Sequence, residues 1–125
     1  MRILVVDDSS AMRTFVRAAV EDELGADVTE ATSGFDARRL LPRETFDVIV
    51  VDVNMPDING LELVAFIRKN PAHVDTRILM ISTEAAEADQ ARGLKLGANA
   101  FLSKPFTAEA LRDKIETLTS NATKS

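Results

Sequence analysis

Val48-Ile49-Val50-Val51-Asp52-Val53-Asn54-Met55-Pro56 is the stretch on which the reading of the fold turns. Four consecutive β-branched residues run into a carboxylate, and Pro56 enforces a turn behind it. A run that is apolar at every position, rather than at alternate ones, suits a strand covered on both faces, as in the middle of a parallel sheet. Such a strand presents Asp52 at its carboxyl end, where ligands bind in open α/β sheets. A charge is costly inside a strand, but at the tip it can be solvated, paired or metal-bound.

Outward from this strand the chain alternates. Ile3-Leu4-Val5-Val6 predicts a first buried strand, closed by Asp7-Asp8-Ser9-Ser10. Met12, Phe15, Val16, Ala19 and Val20 then recur at helical spacing, with Gly25 as the stop. Val28-Thr29-Glu30-Ala31 is a shorter, more polar strand suited to a sheet edge. Ser33 caps a second helix that turns Ala37, Leu40 and Leu41 inward, and Pro42 ends it. Beyond the central strand, residues 60–69 predict a helix with Leu63, Val64 and Ile67 on one side. Residues 70–77 are a polar connection in which His73 is an ordinary loop residue.

Ile78-Leu79-Met80-Ile81 is another fully apolar strand and delivers Ser82 at its end. Residues 85–96 form a fourth helix, expected to be the loosest because Gly93 interrupts a weak apolar stripe. Ala100-Phe101-Leu102 leads into Ser103-Lys104-Pro105, and Thr107 caps a last helix that buries Leu111, Ile115 and Leu118. Residues 1–120 form one domain on this reading, and residues 121–125 a short C-terminal tail, with fraying from Ser120.

Alternating strands and helices at this spacing predict an α/β fold, a single doubly wound (βα)5 flavodoxin-like domain. The three fully apolar strands belong inside and the two weaker ones at the edges, which the parallel order 2-1-3-4-5 satisfies. The switch point of that order lies between strands one and three, so Asp7, Asp8 and Asp52 converge there. Two like charges about 4 Å apart repel by roughly 4 kcal/mol at an effective dielectric of ~20, so either one stays protonated or a cation sits among them. Magnesium suits an all-oxygen set with open positions. The Ser82 hydroxyl and the Lys104 ammonium arrive from the other strand ends. Together these groups make a site for a tetrahedral anion attached to a carboxylate, as in an aspartyl-phosphate.

Asp7-Asp8, Asp52, Ser82 and Lys104-Pro105, in that order after the strands that carry them, resemble the receiver domain of two-component response regulators over essentially the whole chain. The stretch from Asp52 to Glu62 is especially similar to the CheY-like chemotaxis regulators of that family. The resemblance implies that Asp52 is the phosphoacceptor. It also implies that Asp7, Asp8, Asp52 and the backbone carbonyl of Asn54 hold Mg2+, and that Ser82 and Lys104 bond the phosphoryl group. A cis peptide joins Lys104 to Pro105 in the family and turns the lysine inward. Phe101 stands at the aromatic switch position and lacks the hydroxyl that many members carry there. Asn54 and Glu84 occupy the two variable positions that modulate loss of the phosphoryl group. The implied partners are a histidine kinase as phosphodonor and an output protein, a flagellar motor switch protein, bound through the face of helix four, strand five and helix five. The implied protein is a signalling switch, not an enzyme beyond its own phosphorylation and dephosphorylation.

A stand-alone receiver in another phosphorelay or kinase-regulating pathway is the alternative. From a different class, an Asp-nucleophile phosphohydrolase of the haloacid dehalogenase type needs a second Asp two residues after the first, and here that residue is Asn54. No GxxxxGK or GxGxxG loop follows any strand, which disfavours a nucleotide-binding module.

Composition agrees with a cytoplasmic switch. The chain has 15 basic and 20 acidic residues, net −5, which argues against binding nucleic acid or an anionic membrane through a broad basic face. It has no cysteine, so it has neither a disulfide nor a thiolate metal site. The apolar run before Asp7 is too short for a signal-peptide core, and no segment reaches the length of a membrane span. A monomer is expected.

Overall fold

The computed structural model of the protein describes residues 1–55, 59–83 and 87–124, with backbone alone at 83, 87 and 121–124. Within those bounds the elements are β1 (Arg2–Val6), α1 (Ser10–Leu24), β2 (Asp27–Ala31), α2 (Gly34–Leu40), β3 (Val48–Asp52), α3 (Gly60–Arg68), a 3-10 turn at Pro71–His73, β4 (Arg77–Thr83), α4 (Glu87–Leu96), β5 (Ala100–Lys104) and α5 (Ala108–Lys124). All pairings are parallel, and the sheet order is β2-β1-β3-β4-β5, as the apolar runs predict.

The unbroken apolar runs follow from the period of two along a strand. Leu4, Val6, Ile49, Val51, Ile78 and Met80 face one core, which also takes Ala37 from α2 and Leu63, Val64 and Ile67 from α3. Ile3, Val5, Val48, Val50, Leu79 and Ile81 face the other, against Val16, Ala19 and Val20 of α1 and Leu111, Ile115 and Leu118 of α5. A polar residue at any of these central positions would be buried on one face or the other.

Helix ends follow their local chemistry. Ser9, Ser33 and Asn59 cap α1, α2 and α3 by accepting from Met12, Asp36 and Leu61 backbone N–H groups. Gly25 closes α1 in the left-handed region at φ 62°, donating its N–H to Glu21 O.

Two expectations need correction. His73 is fully buried rather than a plain loop residue, and its Nε2 lies 2.8 Å from the carbonyl of Leu41. A carbonyl only accepts, so Nε2 carries the proton and the imidazole satisfies one of the open carbonyls at the C-terminus of α2. The connection around it is further pinned by Arg68, which donates to the carbonyls of His73, Thr76 and Gly97 and to Asn99 Oδ1. The tail is also shorter than expected, because α5 runs to Lys124. No glycine or proline interrupts the chain between Thr107 and Ser125, so nothing breaks the helical ladder. Gly93, inside the helix expected to be the loosest, also serves close packing. A Cβ there would fall 2.1 Å from Met80 Sδ and Cε, so its absence lets α4 lie directly on β4. Pro56 and the first residues expected in helix four lie outside the described residues.

Candidate functional site

The carboxyl ends of β1 and β3 lie side by side, with Val6 paired to Val51, and each strand runs out into acid. Asp7, Asp8 and Asp52 each offer a carboxylate oxygen, and these atoms lie within 4.8 Å of one another. Asp7 and Asp52 are 2% and 3% exposed, and Asp8 opens to solvent. Backbone donors fix the two buried carboxylates. Ser9 N–H donates to Asp7 Oδ1 at 2.9 Å, and Asn54 N–H to Asp52 Oδ1 at 3.1 Å. Lys104 Nζ stands 3.5 Å from Asp52 Oδ1 across the sheet, and the Lys104–Pro105 peptide is cis.

Ser82 sits fully buried near the end of β4, in register with Ser103 of β5. Phe101 is half-buried and packs against the core shared by α2 and α3. Glu84 lies outside the described residues.

Two residues at the site escaped sequence reasoning. Arg13 of α1 donates to the backbone carbonyl of Asp7 at 2.7 Å while its Nε pairs with Glu30 of β2 at 2.9 Å. It thereby ties the β1–α1 loop to the neighbouring strand. Gln90 of α4 donates to Ser82 Oγ and Ser103 Oγ. Gln90 could have been noticed as a polar residue on the strand-facing side of its helix. Arg13 carries no local signal, because its partners come from other elements.

The cluster is electrostatically loaded. Burial, first among the causes, raises the Asp7 carboxyl from its ordinary 3.8 to about 6, and the charges of Asp52 and Asp8 push the same way. The Ser9 N–H and the Lys104 ammonium oppose them. An acid whose pKa is raised by folding holds its proton longer in the native state. The resulting penalty is absent below pH 3.8 and fully present above about 6. Asp7→Asn in chelator is therefore expected to be more stable than wild type by roughly 2–3 kcal/mol above pH ~6.5, and equal to it near pH ~3.5. Denaturant titrations of both proteins across that range check this; a difference that does not vary with pH would remove the electrostatic account.

The donor set fits a hard divalent cation: clustered carboxylate oxygens, with neither thiolate nor imidazole among them. A positive ion there would relieve the repulsion that Asp7 bears. An ammonium and a backbone N–H beside the central carboxylate are donors suited to an oxyanion attached to it.

The model of the response regulator receiver domain matches residues 3–116. A chemotaxis protein CheY homolog of Campylobacter jejuni is 41% identical over 117 residues, covering 93% of this chain and 90% of that protein. Chemotaxis protein CheY1 of Helicobacter pylori is 38% identical, covering 93% of this chain and 94% of its own. Among solved structures, the chemotaxis response regulator CheY4 of Vibrio cholerae is similar at a TM-score of 0.87 and 35% identity, covering 94% of this chain and 97% of that one. A CheY-like receiver domain protein of Methanospirillum hungatei matches at a TM-score of 0.89 and 27% identity, covering 99% and 98%.

Proposed function

Because the chain belongs to the response regulator receiver domain family, we propose that Asp52 is its phosphoacceptor and that it works as a chemotaxis switch at the flagellar motor. The observation that carries the site assignment is the convergence of Asp7, Asp8 and Lys104 on the buried Asp52 carboxylate.

In this reading an Asp52 oxygen attacks the phosphorus of a phosphohistidine on the kinase. The O–P bond forms, the P–N bond breaks, and the imidazole leaves. Asp7, Asp8, Asp52 and the Asn54 carbonyl would hold Mg2+, which when bound neutralises charge on the transferring phosphoryl oxygens. Lys104 is placed to bond one of those oxygens, and the Asn54 N–H steadies the carboxylate that attacks. The phosphohydrolase alternative is weakened by the side chain at position 54, an amide where that chemistry needs an acid.

The switch follows from the new charge. Moving a two-state equilibrium from 1:99 to 99:1 takes about 5.5 kcal/mol. Hydrogen bonds to charged groups contribute roughly 1.5–3 kcal/mol each, so bonds from Ser82 and Lys104 to the phosphoryl group are of the right size. Ser82 is drawn toward Asp52, Phe101 turns inward, and the α4–β5–α5 face is remodelled for an output protein. Glu84 and Asn54 tune the lifetime of the phosphoryl group. The reading places the protein in the cytoplasm. Among the described residues, no helix is long and apolar enough to cross a membrane.

The test is binding of the beryllofluoride-loaded protein to a flagellar motor switch protein from the same organism. The phosphoryl mimic should raise the affinity, and no change would send the search for an output protein to another pathway. Ser82→Ala is expected to take up a phosphoryl group yet lose about 10- to 100-fold of that gain, one charge-assisted bond's worth. If its phosphorylated form bound as tightly as wild type, Ser82 would not couple the site to the surface.

A further inference from the structure

The Ser82 hydroxyl is already engaged. Gln90 Nε2, on the strand-facing side of α4, lies 3.4 Å from Ser82 Oγ and 3.1 Å from Ser103 Oγ. Ser82 is fully buried and Gln90 is 9% exposed, so bulk water is poorly placed to replace either bond. Ser82 and Ser103 are register partners on β4 and β5, and Ser103 immediately precedes Lys104. One amide on α4 therefore bridges the ends of both strands that carry the proposed phosphoryl-binding groups.

We infer that Gln90 is a positioning residue that holds Ser82 in its resting place, so that Ser82 reaches a phosphoryl oxygen on Asp52 only by leaving the Gln90 amide. The inference rests on the role given to Ser82 above. The bond to Ser82 is at the long end of the hydrogen-bond range, so a displacement of Oγ away from α4 breaks it. The amide is then left with Ser103 alone. A bond present in the resting state and absent in the phosphorylated one favours the resting state. Because Gln90 rides on α4, the helix feels whether Ser82 has moved. The coupling is thus carried by a specific polar contact between β4 and α4, in addition to packing at Gly93 and Met80.

Gln90→Met keeps the side-chain length and removes the amide. With the resting bond gone, affinity for beryllofluoride in the presence of Mg2+ should rise about fivefold, the effect of one net neutral hydrogen bond. In a Ser82→Ala background the same substitution should change that affinity by less than about twofold, because the coupled partner is gone. Titration calorimetry on the four proteins reads both values. Mg2+ affinity without beryllofluoride, equal in Gln90→Met and wild type, shows that the acid cluster is intact. Gln90→Leu serves if the methionine variant fails to fold. Equal beryllofluoride affinity in Gln90→Met and wild type, or the same gain with and without Ser82, would overturn the inference. Failure of wild type itself to bind beryllofluoride would overturn the receiver chemistry beneath it, which separates the two outcomes.

Discussion

Asp52→Asn is expected to take up no phosphoryl group from acetyl phosphate and Mg2+, where wild type gains a single Mg2+-dependent phosphoryl mass. The carboxylate has two equivalent anionic oxygens, one steadied by Asn54 N–H at 3.1 Å and faced by Lys104 at 3.5 Å. A carboxamide keeps one neutral carbonyl oxygen, a far weaker nucleophile than a carboxylate oxygen, and replaces the other with a donor that would confront Lys104. The proposed nucleophile and one anionic oxygen of the proposed metal site are lost together. Intact-protein mass spectrometry reads the result directly. An adduct of equal yield on Asp52→Asn would move the phosphoacceptor to Asp7 or Asp8 and sink the assignment. The substitution also removes one of the charges that raise Asp7, so the Asp7 carboxyl should titrate lower than in wild type.

Gly60→Ala is expected to have the largest effect on the fold. Gly60 opens α3 directly behind Asp52, the proposed phosphoacceptor, its N–H donating to Val53 O at 3.0 Å. An added Cβ would lie 2.5 Å from the carbonyl oxygen of Asp52 and 2.7 Å from Val53 Cα. Both are backbone atoms, so no rotamer change relieves the overlap. Either α3 retreats or the end of β3 shifts. We expect a loss of roughly 2–4 kcal/mol, or on the order of 10 °C in Tm, measured by denaturant and thermal unfolding. The folded remainder should be phosphorylated more slowly, because the strain lands on Asp52. Gly93→Ala is the contrast, since its obstruction is the flexible end of Met80, which can move aside. A Gly60→Ala protein as stable as wild type would mean that the start of α3 can retreat from Asp52 without cost.

Much of this was legible in one dimension because burial on both faces leaves a pattern that needs no partner to be recognised. The runs 3–6, 48–51 and 78–81 had to be central, and their order then forced Asp7, Asp8 and Asp52 together at the carboxyl end of the sheet. Lys104 followed from its place at the end of the last strand. His73 failed the same reading. Its burial depends on an open carbonyl at Leu41, 32 residues away, and on Arg68 holding the connection closed. A polar residue in a polar stretch gives no local hint of either.

The sequence by itself determined the strands, their order and the carboxylates they bring together, because periodicity and strand-end chemistry are local properties. Tertiary structure alone decided which long side chains brace the backbone and hydroxyls around those carboxylates. Arg13 reaches the Asp7 carbonyl and Glu30 together, and Gln90 bridges Ser82 and Ser103. These contacts join residues from separate elements through long, rotatable side chains. Their partners are therefore set by how the helices seat on the sheet, and no spacing along the chain encodes them.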